Sequence, residues 1–208
     1  KDLVNWSEQQ FIEVMKHEPT TVNVWAPELF YDDENERFII IWASTIPHRF
    51  PRGVEDEMNN HRMYFTTTKD FKTFSKTQLL YDQRFNVIDA TIVKKGNEYV
   101  MILKDETRNP PQKNLRIATS KKLTSRYSKP SPPITGDYWA EGPTALKAGN
   151  QWIIYFDKYT LHTYGAVAST DLVNWTDISD RISFPQGTRH GTAFTISRKE
   201  FGKLSPIR

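Results

Sequence analysis

The chain has 208 residues, of which 38% are hydrophobic and 25% charged, enough for one sizeable core and ordinary for a globular protein. Its formal charge of +3 is small and its basic residues are dispersed, which points away from nucleic acid, and no apolar run reaches the length of a membrane span. Cysteine is absent, which excludes disulfides and thiolate chemistry without fixing a compartment.

Asp2-Leu3-Val4-Asn5-Trp6 recurs unchanged at Asp171-Leu172-Val173-Asn174-Trp175, with looser copies at Asp70–Phe74 and Lys122–Tyr127. Intervals of roughly 50 to 70 residues suit propeller blades better than short solenoid repeats. Residues 1–20 read as the outer end of one blade. Residues 25–82 form a complete blade, with strands at Leu29–Tyr31, Arg37–Ala43, Arg62–Thr68 and Gln78–Tyr81. Residues 87–135 repeat that order at Asp89–Lys94, Tyr99–Leu103 and Leu115–Ser120, closing with an irregular Pro-rich segment at 128–133. Residues 140–187 follow with Thr144–Lys147, Gln151–Phe156, Gly165–Ser169 and a last strand from Trp175. Residues 190–208 begin the inner strand of a further blade. The expectation is an all-β fold, a β-propeller forming one domain over 1–208, with most of its first blade missing from this chain.

The segments Trp25–Phe30, Val87–Ile92, Ala140–Leu146 and Arg189–Phe194 stand in phase with the repeat, and as four equivalent strand starts they carry Glu28, Asp89, Glu141 and His190. A ring of blades would bring these together. The loops Ser44–His61, Lys104–Asn114 and Asp157–Tyr164 leave from the same face, which makes His48, Arg49, Arg52, Arg108, Tyr159 and His162 rim candidates.

Glycoside hydrolysis uses two carboxyl groups, one protonated as general acid and one ionised. Glu141 lies between Trp139-Ala140 and Gly142-Pro143, where desolvation is expected to raise its pKa. Asp89 follows Val87-Ile88 and precedes Ala90, an apolar setting that demands a partner or a function. Trp25 is a sugar platform or a core residue, and His190 could orient a carboxylate or hold a central cation.

At the strings Trp25-Ala26-Pro27-Glu28, Ile88-Asp89-Ala90, Glu141-Gly142-Pro143 and Arg189-His190-Gly191 the chain resembles glycoside hydrolase family 43, five-bladed propellers that invert configuration on arabinose- and xylose-containing glycans. The resemblance implies Glu141 as general acid, Asp89 as the aspartate that tunes and orients it, and His190 as an axial histidine near a metal ion such as calcium. It implies no required cofactor. Trp25, Glu28, Trp139, Arg189, His48, Arg108 and Tyr159 are the expected substrate contacts. The family's general base, an aspartate of the first blade, is expected upstream of this chain, and many relatives have Asp where Glu28 stands. The expected partner is an oligo- or polysaccharide, with arabinose-, xylose- or galactose-type sugars as products and no protein partner inferred. A secreted or periplasmic location follows only from that substrate class. The rival from another class is a noncatalytic glycan-binding propeller that lacks the base.

Overall fold

A computed structural model describes residues 3–204; Asp2 of the first repeat and the end of the expected last strand lie outside the described residues. Three antiparallel sheets follow one another along the chain. The first contains β1 (Trp25–Asp32), β2 (Arg37–Ser44), β3 (Arg62–Thr68) and β4 (Gln78–Tyr81). The second contains β5 (Val87–Lys95), β6 (Glu98–Asp105) and β7 (Asn114–Ser120). The third contains β8 (Glu141–Ala148), β9 (Gln151–Lys158), β10 (Thr163–Ser169) and β11 (Thr176–Asp177). The strands in each sheet are hydrogen-bonded in chain order, as in propeller blades, and the inner strands β1, β5 and β8 touch one another in that order.

The second sheet lacks a fourth strand. Ser128, Ser131 and Ile134 each donate a backbone hydrogen bond to β7, but Pro130, Pro132 and Pro133 have no N–H to complete the ladder. Residues 190–197, expected to begin an inner strand, run as irregular chain with no ladder partner among the described residues. The helical content is slight, a single 3₁₀ turn at Ser179–Arg181 and a capped turn of helix at Arg198–Phe201 among the described residues.

Strand alternation builds the core. On β6, Tyr99, Met101 and Leu103 face the first sheet and pack with Ile39, Ile41, Met63 and Phe65. Val100 and Ile102 face the third sheet and pack with Trp152, Ile154 and Phe156 of β9. The middle sheet is therefore buried on both faces, which explains its nearly continuous apolar sequence. Lys104 continues the Val100–Ile102 row and is almost fully buried.

The sequence repeat is a corner after the third strand of a sheet. In the copy at Asp70, Thr68 Oγ1 accepts the Phe71 N–H, and the Asp70 carboxylate accepts those of Lys72 and Thr73 at 2.9 and 2.8 Å. Ser169 and Asp171 repeat the arrangement with Leu172, Val173 and Asn174. Phe71 and Leu172 occupy equivalent left-handed positions, with φ of 55° and 64°. The repeated aspartate thus caps a turn. These bonds hold the Asp70 carboxyl down to about 2 and lower that of Asp171 as well.

Each inner strand carries a bulge near its start. The register breaks between Trp25 and Glu28, between Ile88 and Thr91, and between Glu141 and Thr144. Ala26, Asp89 and Gly142 follow directly on the last residue paired before the break, all with positive φ. The strand starts are therefore equivalent as Trp25/Ile88/Glu141 and Ala26/Asp89/Gly142. Glu28 matches Thr91 and Thr144. The expectation that Glu28, Asp89 and Glu141 share one ring position is corrected here: the three strands are bulged alike, and their ladders set Glu141 one place before Asp89's position and Glu28 two places after it.

A left-handed conformation costs a residue with a Cβ roughly 1–2 kcal/mol, partly offset for glycine by its larger unfolded-state entropy. Ala26, with φ 48°, has no polar side chain to stabilise that conformation. Ala26→Gly is expected to raise stability by about 0.5–1 kcal/mol. Urea denaturation should show a higher midpoint with an unchanged slope; a lower midpoint would mean that the Ala26 methyl packs usefully.

Candidate active site

Two adjoining clefts open where the inner strands meet. One, about 280 Å³, is lined by Glu28, Asp89, Gly142, His190 and Thr192 among others. The second, about 370 Å³, is lined by Trp25, Asp89, Lys104, Glu141, Tyr159 and His190 among others. Asp89 and His190 belong to both, so Glu28 and Glu141 lie on different sides of that pair.

Asp89 is buried at the bulge of β5, and its Oδ2 accepts the Gly142 N–H at 3.0 Å. Burial pushes its carboxyl up, against the pull of Lys104 and that hydrogen bond. Glu141 opens β8. Its Oε1 lies 3.0 Å from His190 Nε2 and 3.4 Å from Arg189, and its Oε2 lies 2.9 Å from Lys104 Nζ. Burial alone would raise this carboxyl, but the His190 bond and the Lys104 ammonium override it and hold it down to about 2. The expected upward shift of Glu141 is thus reversed in this structure, because the sequence around it shows its apolar neighbours and not the cations folded against it. His190 is raised chiefly by its bond to Glu141. Glu28 is raised by burial while accepting hydrogen bonds from Leu29 N–H and the Thr192 hydroxyl.

Trp25 stacks on His61 with ring centroids 4.8 Å apart. The two ring nitrogens of His61 lie 2.9 Å from Asn23 and Asn86, and burial lowers its pKa, so it backs the indole as a neutral ring. Trp139 lies against Tyr159, 5.9 Å between centroids, and the two form an aromatic wall. Arg189 is ion-paired with Asp157 and reaches Glu141.

His48 and Arg108 line neither cleft. The His48 backbone N–H donates to Glu57, and its imidazole lies 3.5 Å from the same carboxylate. Arg108 bonds Asn59 and pairs with Asp56, while its backbone N–H donates to Glu55. His48 thus braces the 45–61 loop internally, Arg108 ties that loop to the 106–113 loop, and neither lines the two clefts.

From sequence alone Lys104 and Asp157 stand at loop ends with no role. Both are strand residues, and both are nearly fully buried. Lys104 pairs in register with Ile88 and Asp157 with Glu141, so they hold equivalent places in successive sheets. Their signal was a charged residue at an inward position of a buried strand: Lys104 follows Val100 and Ile102 at period two. Glu106, 2.7 Å from Lys104 and ion-paired with Lys113, completes the cluster.

Asp89, Glu141 and His190 each offer a ligand-type atom within 4.8 Å of the others. A cation among them would lie beside the Lys104 ammonium, with Glu141 Oε2 committed to that lysine and Oε1 to His190 and Arg189. The donor set in this arrangement does not fit a resident divalent ion.

A family 43-related model described as "Probable glycosyl hydrolase domain" matches residues 1–202. The chain belongs to that family. This glycosyl hydrolase domain is 27% identical over 153 residues to an α-L-arabinofuranosidase of Bifidobacterium longum, a match covering 62% of the chain and 14% of that protein. An α-L-arabinofuranosidase structure from Lactobacillus brevis matches 75% of the chain and 54% of its own length, with 20% identity and a TM-score of 0.56. The catalytic domain of a Coprinopsis cinerea family 62 α-L-arabinofuranosidase covers 84% of the chain and 56% of its own length, at 12% identity and a TM-score of 0.57. These structural likenesses are likenesses of fold. The domain spans a small part of the Bifidobacterium protein and about half of the other two.

A Cβ on Gly142 would come within 2.6 Å of the His190 ring, at a φ of +56°. Gly142→Ala is therefore expected to push His190 off Glu141. Since Glu141 is the main cause that raises His190, the imidazole pKa should fall towards its ordinary value. Proton NMR titration of the His190 ring checks this; an unchanged midpoint would show that the ring is held by other contacts.

Proposed function

We propose that this domain carries the acid half of an inverting glycosidase site for arabinose-, xylose- or galactose-type residues of plant-type glycans, within a five-bladed propeller. The observation that carries the reading is the convergence of Asp89 and Glu141, from the starts of the neighbouring inner strands β5 and β8, with His190 of the irregular segment that follows the third sheet, in a chain of glycosyl hydrolase ancestry. In this reading Glu141 protonates the leaving oxygen and Asp89 holds the Glu141 segment in place through the Gly142 N–H. The proton that Glu141 needs has a source one hydrogen bond away, on the His190 imidazole. Trp25, Tyr159 and Trp139 offer apolar faces to sugar rings, Glu28 can accept hydrogen bonds from hydroxyls, and Arg189 can donate to them. The general base is an aspartate supplied by chain outside residues 1–208. No resident cofactor or metal enters the mechanism.

The ion pairs that hold Glu141 ionised also favour a second reading, a propeller that binds glycans without hydrolysing them. One variant separates the two. In the intact protein Glu141→Gln should lower turnover by about 10²–10⁴-fold on natural glycans and much less on aryl glycosides, whose leaving groups need little protonation. Glycan binding with no product from the wild type would establish the binding reading. Negligible loss on both substrate types would remove Glu141 as the acid. Inversion requires a water between base and sugar. Proton NMR of the first product should therefore show the inverted anomer, and a retained anomer would direct attention to Asp89 as a nucleophile.

A further inference from the structure

We infer that Lys104 is the positioning residue for Glu141, a buried counter-ion that steers its carboxyl and compensates the negative charge it carries once its proton has been given away. The inference rests on Glu141 being the acid. Lys104 occupies an inward strand position where its neighbours in the row, Val100 and Ile102, are core residues. A lysine there loses its hydration and persists only with close compensation. It has two carboxylates, Glu141 at 2.9 Å across the gap between sheets and Glu106 at 2.7 Å just beyond its own strand. The Tyr159 ring lies under the ammonium, 4.7 Å from ring centre to Nζ.

Two partners matter because the acid changes charge during turnover. As the glycosidic C–O bond breaks, its electron pair goes to the leaving oxygen, which takes the Glu141 proton. Water bonds to the anomeric carbon and gives its own proton to the aspartate base of the proposed site. Glu141 is then a carboxylate facing Lys104. When it is protonated again, Glu106 still compensates the ammonium, so the buried lysine is never left unpaired. Glu106 is itself held by Lys113. The other charged groups facing Glu141 are Arg189 and His190 from the 189–191 segment, Asp157 from β9 and Asp89 from β5. Among the cations of this group, Lys104 alone is fully buried.

The test is a carbon NMR titration of glutamate carboxyls in the intact protein, with the Glu141 signal assigned by its loss in Glu141→Gln. In Lys104→Met the Glu141 midpoint should rise by about 1–3 pH units, the effect of removing an opposite charge at close range, and Lys104→Arg should restore part of the shift. The acidic limb of the pH–rate profile should move the same way, with the larger rate loss on poor leaving groups. A merely structural lysine would lower activity without moving either titration, and an unmoved Glu141 midpoint overturns the inference. Should Lys104→Met fail to fold, Glu106→Gln serves instead: it leaves the ammonium to Glu141 and should lower the Glu141 midpoint, whereas a rise overturns the inference. The two hypotheses fail distinguishably. Wild-type turnover in Glu141→Gln removes the acid and the inference with it, while a leaving-group-dependent loss there, with no shift in Lys104→Met, removes the inference alone.

Discussion

The bulge at the start of each inner strand is the constraint on which the site depends. One left-handed residue, Ala26, Asp89 or Gly142, interrupts the ladder just where the three strands converge. Without it, strict alternation would turn successive side chains to opposite faces. With it, the second sheet presents Asp89 from the bulge position and the third presents Glu141 from the position before, and both reach the same cleft. Glycine at 142 serves two ends. It accepts the left-handed conformation without strain, and its missing side chain leaves room for the His190 ring.

A second rule runs across the sheets. In the second and third sheets the residue opposite the last inner-strand position before the bulge reaches forward to the next element of the ring: Lys104 to Glu141, and Asp157 to Arg189. These two pairs thus join neighbouring structural units, while Glu106 completes the cluster from the same unit as Lys104. The apolar rows beneath, Val100 and Ile102 against Trp152, Ile154 and Phe156, hold the sheets at the separation those contacts need. Packing and electrostatics are coupled there because the polar cluster is the end of the core's own side-chain rows.

Much of this was legible in the sequence. The Asp-Leu-Val-Asn-Trp repeat marks outer corners, and the Ile-rich β2 and the apolar run Tyr99–Leu103 of β6 announce buried strands. Asp89 and Glu141 stand out as acidic residues among apolar neighbours, and His190 by its place in phase with the repeat. What could not be read was geometry that adds no unusual residue. A bulge costs one residue of register, and at Ala26 nothing in the composition betrays it. Lys104 and Asp157 looked like loop ends because a charge usually closes a strand, and their burial depends on what the next sheet places against them. His48 and Arg108 lie outside both clefts for a related reason: a rim-loop side chain can bond within its loop or to a neighbouring loop as readily as face a pocket.

The outer corners and the inner pocket respond to acid in different ranges. Asp70 is filled by backbone N–H groups and keeps its charge down to about pH 2, so the capping it provides persists until the pH falls through that value. Asp89 and His190 are both raised, so protons enter the pocket while the corners are still fully charged. Acidification therefore rewrites the charge pattern around the cleft within a scaffold whose hinges have not yet felt it. The domain separates the durability of its shape from the sensitivity of its chemistry by placing one kind of aspartate at the rim of the wheel and another near its hub.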